Sequence, residues 1–377
     1  MIETKSAFSE VPSYSKPTTS VSTQAVEYLE QEPPIPPFDP AIHLNFQPPA
    51  KRYTFTELGL PVPKGVPDLC YTEPFQLFSE EGVRMLRREI FRRSFLDKYM
   101  RSWERAPCII TGFSLYDEDA TFIKQAMTHP VTQAAVNFAF GAELQFRNGI
   151  NDMGYVNVQL GAEGMKGVYR LGETPSKSLP AGEQMSVSEY DDVPIDGWHK
   201  DQTPVVLVLM LSDTSTMAGG ETAVRIGDGN VINAAGAGMG AGVMMAGAYL
   251  EHAALRASNC LERVSMVNSY NFADPNADDT GTSLASVHYT HDSHAMIRNL
   301  FMEQKLTRLR DRCDIALRRV QERRRRGEDP DREEIEGWIR DQIHFLKHTG
   351  WETFHRIPDY VHTTRPEGAL RDYLADV

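Results

Sequence analysis

A mainly β core with flanking helices is the fold class the sequence predicts, and three observations predict it. An apolar run of strand length, Val205-Val206-Leu207-Val208-Leu209-Met210-Leu211, follows directly on the polar opening from Gly197 to Pro204. Tyr155-Val156-Asn157-Val158-Gln159-Leu160 alternates polar and apolar residues, and Glu221 to Ile226 resumes strand character after a turn rich in Ser, Thr and Gly. Helical periodicity falls before and after these strands. At 377 residues and 41% hydrophobic, the chain can bury a large core, and one domain with helical additions suits that length better than two equal domains.

Taken in order, residues 1–50 are rich in Ser, Thr and Pro, ending in Glu32-Pro33-Pro34-Ile35-Pro36-Pro37 and Gln47-Pro48-Pro49. Proline lacks a backbone donor, so an extended arm is expected, lying on its own domain or on a partner subunit. Ser79, followed by Glu80 and Glu81, is a helix N-cap, with Val83, Leu86 and Ile90 on one face and Phe91 and Phe95 beside it. A second helix starts near His129-Pro130 and ends before Gly141, since Pro suits the first turn and Gly the exit. The alternation at 155–160 puts Tyr155, Asn157 and Gln159 on one strand face, which looks either into a site or into solvent. Residues 161–197 read mostly as loop.

Ala235-Gly236-Ala237-Gly238-Met239-Gly240-Ala241-Gly242 lacks a strand-loop-helix setting and any Gly-Lys-Ser/Thr, so it is a flexible loop and not a phosphate cradle. Beyond residue 290, Met296, Leu300, Leu306 and Leu309 recur amid charges, marking an amphipathic helix to about Val320. The basic run Arg323 to Arg326 is followed at once by Glu328, Asp329, Asp331, Glu333 and Glu334, which suits a solvated helix end and turn. A last helix spans about Glu333 to His348. The expected organisation is an arm over 1–50, a β domain with supporting helices over 51–290, and a helical extension over 291–377.

The formal charge of −13, from 52 acidic and 39 basic residues, argues against nucleic acid as a partner. Cys70, Cys108, Cys260 and Cys313 are widely spaced, giving neither a zinc signature nor a disulfide framework. The first residues lack a charged-then-apolar signal segment, and no apolar run reaches membrane-spanning length. A cytoplasmic location without membrane association is the expectation.

The chemistry concentrates between Trp198 and Asn271. In an extended opening, His199 and Asp201 share one side of the backbone while Lys200 faces the other. His252, in a second short stretch after Ala246-Gly247-Ala248-Tyr249-Leu250-Glu251, supplies another imidazole across a barrel mouth. Two His and one carboxylate on one face of a metal, with three positions open, suit non-haem Fe(II), whereas zinc favours a closed or nearly closed tetrahedral set. Arg263 and Ser265, two residues apart, offer a guanidinium fork and a hydroxyl to a single carboxylate. Singly, each of these residues is more often a cap, an ion-pair partner or a surface group.

Together, His199-x-Asp201, His252 and Arg263-x-Ser265 resemble the Fe(II)- and 2-oxoglutarate-dependent oxygenases, especially the subgroup related to isopenicillin N synthase. The resemblance covers roughly residues 70–290 and implies a double-stranded β-helix (jelly-roll) core. It implies Fe(II) on His199, Asp201 and His252, the distal carboxylate of 2-oxoglutarate on Arg263 and Ser265, O2 as oxidant, and ascorbate as a supporting reductant. Gly219-Gly220-Glu221-Thr222 and the long C-terminal extension are similar to the fungal TqaL-type oxygenases, which close L-valine at its tertiary carbon into an aziridine-2-carboxylic acid on a route to 2-aminoisobutyrate. That likeness implies a small amino-acid substrate and a role in fungal secondary metabolism. Tyr155 and Asn157 are candidates for cosubstrate or substrate contact, and Ile343 and Phe345 for an apolar pocket wall, although ideal helical spacing would not put both on one face.

Arg170, Arg225 and Lys200 are merely available for the substrate carboxylate. A homodimer is left open. Three other readings share parts of the pattern: a 2-oxoglutarate-dependent hydroxylase or desaturase of another small metabolite, a zinc hydrolase, and a non-enzymatic jelly-roll binding module.

Overall fold

The computed structural model describes residues 34–102, 105–114, 118–147, 149, 151–177, 194–234, 236–279, 284 and 293–354. The N-terminal part holds α1 (Pro40–His43), β1 (Arg52–Tyr53), β2 (Tyr71–Thr72), β3 (Phe75–Gln76), α2 (Glu80–Ile90), α3 (Arg93–Tyr99), β4 (Met100–Arg101), β5 (Ile109–Ile110), α4 (Thr121–Thr128) and α5 (Pro130–Phe140). The central part holds β6 (Leu144–Phe146), β7 (Tyr155–Val158), α6 (Met165–Val168), β8 (Asp196–His199), β9 (Val205–Met210), β10 (Ala218–Gly219), β11 (Thr222–Arg225), β12 (Val231–Ala234), β13 (Ala241–Met245), β14 (His252–Ala254), β15 (Ala257–Ser258) and β16 (Val264–Phe272). Two long helices close the described chain, α7 (His294–Arg326) and α8 (Arg332–Phe354).

The strand pairing is antiparallel throughout. A large sheet runs β1-β2-β13-β9-β16-β7-β5-β4, with β3 on β13 and β6 on β16, and a four-stranded sheet runs β12-β11-β14-β8. From β8 onward the chain crosses repeatedly between the two: β8 lies in the small sheet, β9 in the large, β11 and β12 in the small, β13 in the large, β14 in the small and β16 in the large. That winding is the double-stranded β-helix, or jelly roll, expected for the chain. β9 and β16 form its centre, paired from Ser265↔Met210 to Tyr270↔Val205. β9 is the apolar run 205–211, buried on both faces except at Val208, as a central strand must be.

The supporting helices follow their local chemistry. Ser79 caps α2 by accepting from the Gly82 N–H at 3.0 Å, and Val83, Met85, Leu86 and Ile90 are buried beneath it. That helix ends one turn earlier than the apolar spacing suggests: Arg92 is extended, and the chain restarts as α3, turning Phe95 onto Tyr99 and Phe113. α5 starts at Pro130 and stops at Gly141, whose φ of 91° only glycine adopts freely. Of the Pro-rich arm, residues 35–50 lie on the domain: Phe38 packs on Phe78 and Phe122, and the Asn45 and Gln47 N–H groups donate to the carbonyls of Leu77 and Gln76. Residues 1–33 lie outside the described part.

α7 and α8 are bolted to the core by buried charges. Asp279, after β16, receives Lys305 at 3.1 Å, Arg308 at 3.3 Å and Arg312 at 3.6 Å from α7, and Lys305 also meets Glu352 of α8 at 3.0 Å. Burial raises the Asp279 pKa, but the three cations outweigh it and hold the carboxyl below its ordinary range. α7 runs past Val320 to Arg326 because its last turn carries four arginines, favourable at the negative end of the helix, before Gly327 caps it. Among the described residues no helix is long and apolar enough to cross a membrane. Asp279→Ala leaves several buried cations without this counter-ion, and a loss of about 3–5 kcal/mol of stability is expected, read as a lower denaturant midpoint with α7 the first element to lose amide protection.

Candidate functional site

Antiparallel pairing of β8 with β14 sets His199 directly opposite His252, and a register shift between His252 and Ala254 lets the two rings approach with centroids 4.3 Å apart. Each ring is fixed through its Nδ1. His199 Nδ1 lies 2.6 Å from the Gly197 carbonyl and His252 Nδ1 lies 2.8 Å from the Leu250 carbonyl. A carbonyl can only accept, so both Nδ1 atoms carry protons and both Nε2 lone pairs point away from the backbone.

They point at Asp201. Its Oδ1 is 3.3 Å from His199 Nε2 and its Oδ2 is 3.5 Å from His252 Nε2, and the three donor atoms lie within 4.8 Å of one another. Asp201 is not on the same strand as His199; it sits in the corner where the chain leaves β8 for β9 and the other sheet. Its N–H donates to the Gly247 carbonyl at 2.9 Å, and the absent side chain of Gly247 makes the room, since a Cβ there would come within 1.9 Å of Asp201 Oδ2. Burial would raise the Asp201 pKa, yet the imidazoles of His252 and His199 together with Arg105 bring it down to about 2. Burial also pushes His252 below the usual imidazole range, against the pull of Asp201. Near neutral pH the carboxylate is therefore ionised and His252 is neutral. With each Nδ1 turned to a backbone carbonyl, the two Nε2 atoms and the Asp201 carboxylate converge on one point, an arrangement suited to a bound cation.

Arg263 and Ser265 line the same cavity as the three residues. Arg263 is fully enclosed; its Nε and Nη2 donate to the Gly220 carbonyl at 3.1 and 2.8 Å, and its Nη1 reaches Ser265 Oγ at 3.3 Å. Among the described residues no carboxylate pairs with it, and burial lowers its pKa to about 10, so it stays cationic at neutral pH. A buried guanidinium with no carboxylate bonded to it among the described residues suits an anionic ligand. β16 places Ser265, Val267 and Ser269 on the cavity side by its period of two, and Arg263, one residue before the strand, continues the row.

β7 pairs with β16 at Asn157↔Ser265 and Tyr155↔Val267, and Tyr155 and Asn157 line the cavity, so this strand face looks inward and not into solvent. Gln159 turns to structure instead, bonding both backbone groups of Ala257 at 2.9 and 2.8 Å. Ile343 and Phe345 are not brought to the site. α8 stays regular through both, leaving Ile343 48% exposed, while Phe345 is buried under Arg312, 4.1 Å from its ring. Of the basic residues available by sequence, Arg170 pairs with Glu163 and Arg225 with Glu251, both away from the cavity, and Lys200 lines it.

Arg105, Asn151, Asp152 and Gln202 also line the cavity, and the first three carried no signal in the sequence. Arg105 meets Asp196 at 2.5 Å from a loop with no periodicity to mark it. Gln202 alone had a signal, lying one residue beyond Asp201.

No protein-family model matches the chain, and no curated protein matches it. Solved structures share parts of its fold at low similarity. A Pseudomonas putida prolyl-4-hydroxylase matches at 15% identity over 52% of this chain and 88% of its own, with a TM-score of 0.31. A non-haem α-ketoglutarate-dependent epimerase, SnoN, from nogalamycin biosynthesis matches at 14% over 51% and 74%, with a TM-score of 0.32. A non-haem monooxygenase, ThoJ, in a nickel complex matches at 12% over 64% and 78%, with a TM-score of 0.30.

Proposed function

We propose that the protein is an Fe(II)- and 2-oxoglutarate-dependent oxygenase acting on a small amino acid, with L-valine, closed at its tertiary carbon to an aziridine-2-carboxylic acid, as the substrate. The observation that carries the oxygenase reading is the convergence of His199 Nε2, His252 Nε2 and Asp201 in a cavity that also holds the buried guanidinium of Arg263, which no carboxylate among the described residues pairs with. The valine reading rests on the sequence resemblance.

His199, His252 and Asp201 would hold the iron, with one negative charge and two neutral nitrogens, a donor set suited to non-haem Fe(II). When bound with 2-oxoglutarate and dioxygen, that centre supplies an oxidant able to take hydrogen from an unactivated carbon. Arg263 and Ser265 would take the distal carboxylate of 2-oxoglutarate and fix the direction from which its keto acid end reaches the three ligands. Gly197 and Leu250 hold the imidazole protons on Nδ1 throughout. Val206, Val208 and Val267 put an apolar patch in an otherwise polar cavity lining, against which a small aliphatic side chain would pack, and ring closure would require the substrate's amino group to give up its proton first.

The overall balance is L-valine, 2-oxoglutarate and O2 giving the aziridine acid, succinate, CO2 and water. Dioxygen accepts two electrons from oxidative decarboxylation of the keto acid and two from valine. At about 140 Å³ the cavity lies below the ~300–1,000 Å³ common for small-molecule sites, which favours a small substrate.

With Fe(II), 2-oxoglutarate, ascorbate, air and L-valine, the expected products are succinate and an amino acid two hydrogens lighter than valine, identified by mass and NMR. Succinate coupled to another substrate would retain the oxygenase and discard valine. His199→Ala should abolish turnover and Fe(II) binding measured without oxygen. Arg263→Ala should raise the dissociation constant of 2-oxoglutarate about 10- to 100-fold while Fe(II) binding persists. Gly247→Ala, whose added methyl would collide with Asp201 Oδ2, should weaken Fe(II) at least about tenfold by displacing Asp201; unchanged affinity would remove Asp201 from the ligand set.

A further inference from the structure

The turn between β6 and β7 is held at both ends by one residue of β16. The Arg147 N–H donates to the Ser269 carbonyl at 3.1 Å, and the Ser269 N–H donates to the Asp152 carbonyl at 2.8 Å. Inside the turn the Gly149 N–H donates to Asp152 Oδ2 at 2.7 Å. The side chains of Arg147 and Asp152 consequently emerge together, Nε to Oδ2 3.3 Å, with Arg147 only 6% exposed. Arg147 Nη2 donates to Gln304 Oε1 of α7 at 2.7 Å, and its Nη1 reaches the Gln202 carbonyl at 3.4 Å. A guanidinium has five N–H bonds, so these contacts leave part of the fork unused among the described residues, and none of those residues donates to Asp152 Oδ1.

This pair stands at a junction. A second cavity of about 430 Å³ lies between the turn, the ends of β6 and β16, and α7, and Asn151, Asp152 and Gln202 line both it and the site cavity. Along β16 the row from Arg263 to Ser269 spans roughly 20 Å at the rise of an antiparallel strand. Arg263 heads one end of that row; the other end opens on Arg147 and Asp152.

We propose that Arg147 and Asp152 form the head-group subsite for an α-amino acid, the guanidinium taking the carboxylate and Asp152 the ammonium, with Gln304 bringing α7 into the substrate site. The proposal rests on the oxygenase reading and deepens it. A buried cation and anion in contact are the mirror image of a zwitterion. A dicarboxylate would meet Asp152, a diamine would meet Arg147, and an apolar ligand would leave the pair as it stands. From this subsite the substrate side chain extends past Gln202 toward Val206, Val208 and Val267, on the side of the cavity opposite the 2-oxoglutarate anchor.

The test uses the full-length protein loaded with Fe(II) and 2-oxoglutarate without oxygen. The visible charge-transfer absorption of the Fe(II)–keto acid chelate reports the loaded site, and calorimetry reports binding of L-valine and of L-valinamide, which lacks the carboxylate. Arg147→Ala should weaken L-valine about 10- to 100-fold and leave the absorption unchanged. Arg147→Lys should fall between, because it keeps the charge and loses the fork. The wild-type preference for L-valine over L-valinamide should vanish in Arg147→Ala. Gln304→Leu should weaken L-valine more modestly, and together with the wild-type comparison of the two ligands it decides the matter if Arg147→Ala does not fold. Unchanged L-valine affinity in Arg147→Ala or Gln304→Leu, or equal binding of valine and valinamide by wild type, overturns the subsite. Absence of the absorption in wild type overturns the oxygenase reading instead.

Discussion

Two backbone carbonyls, those of Gly197 and Leu250, determine what the centre of this protein can be. By accepting from Nδ1 they leave each imidazole one free nitrogen, and the β8–β14 pairing aims both at the same point. Had either ring been free to turn, the cluster of donors around Asp201 would relax into ordinary histidine–aspartate hydrogen bonds. The carboxylate is kept ionised by its surroundings and the space it occupies is kept by the missing side chain of Gly247. The site is thus preorganised by main chain and packing, with the ligands' own side chains free to do nothing but present lone pairs.

The large sheet and the helices serve that arrangement in different ways. β16 is the organising strand: its first half sets Arg263 and Ser265 against the cavity, its second half anchors the turn that carries Arg147 and Asp152, and the chain after it supplies Asp279 to the two long helices. One strand therefore fixes the register of Arg263 and Ser265, of the Arg147–Asp152 turn and of the C-terminal helices together. A slip of one residue in its pairing with β9 would invert all of these at once.

Much of this was legible in the sequence because it obeys short-range rules. The apolar run at 205–211, the alternation at 155–160 and the caps at Ser79 and Gly141 each state a local preference that the fold keeps. Arg263 and Ser265 could be grouped by a strand's period of two, and His199, Asp201 and His252 joined them through the spacing of the family that the sequence resembles, although Asp201 lies in the corner beyond β8 and not on the strand. Arg105, Arg147 and Asp152 could not, because they come from a loop and a turn whose position is set by hydrogen bonds to distant strands, such as that of Arg147 to Ser269. Ile343 and Phe345 show the opposite limit. Apolar character named them as a wall, but a regular helix turned one to solvent and the other beneath Arg312, where buried cations needed an aromatic face.

The corner between β8 and β9 gives the molecule a mechanical property. His199 and His252 belong to the small sheet, while Asp201 lies on the path into the large one, so the three donors straddle the seam of the sandwich. An ion gripped by all three would act as a rivet across that seam, and the energy of gripping it would appear as resistance to the two sheets sliding apart. Loading a metal there would therefore also stiffen the barrel, adding its binding energy to the hold that main chain and packing already keep on the site.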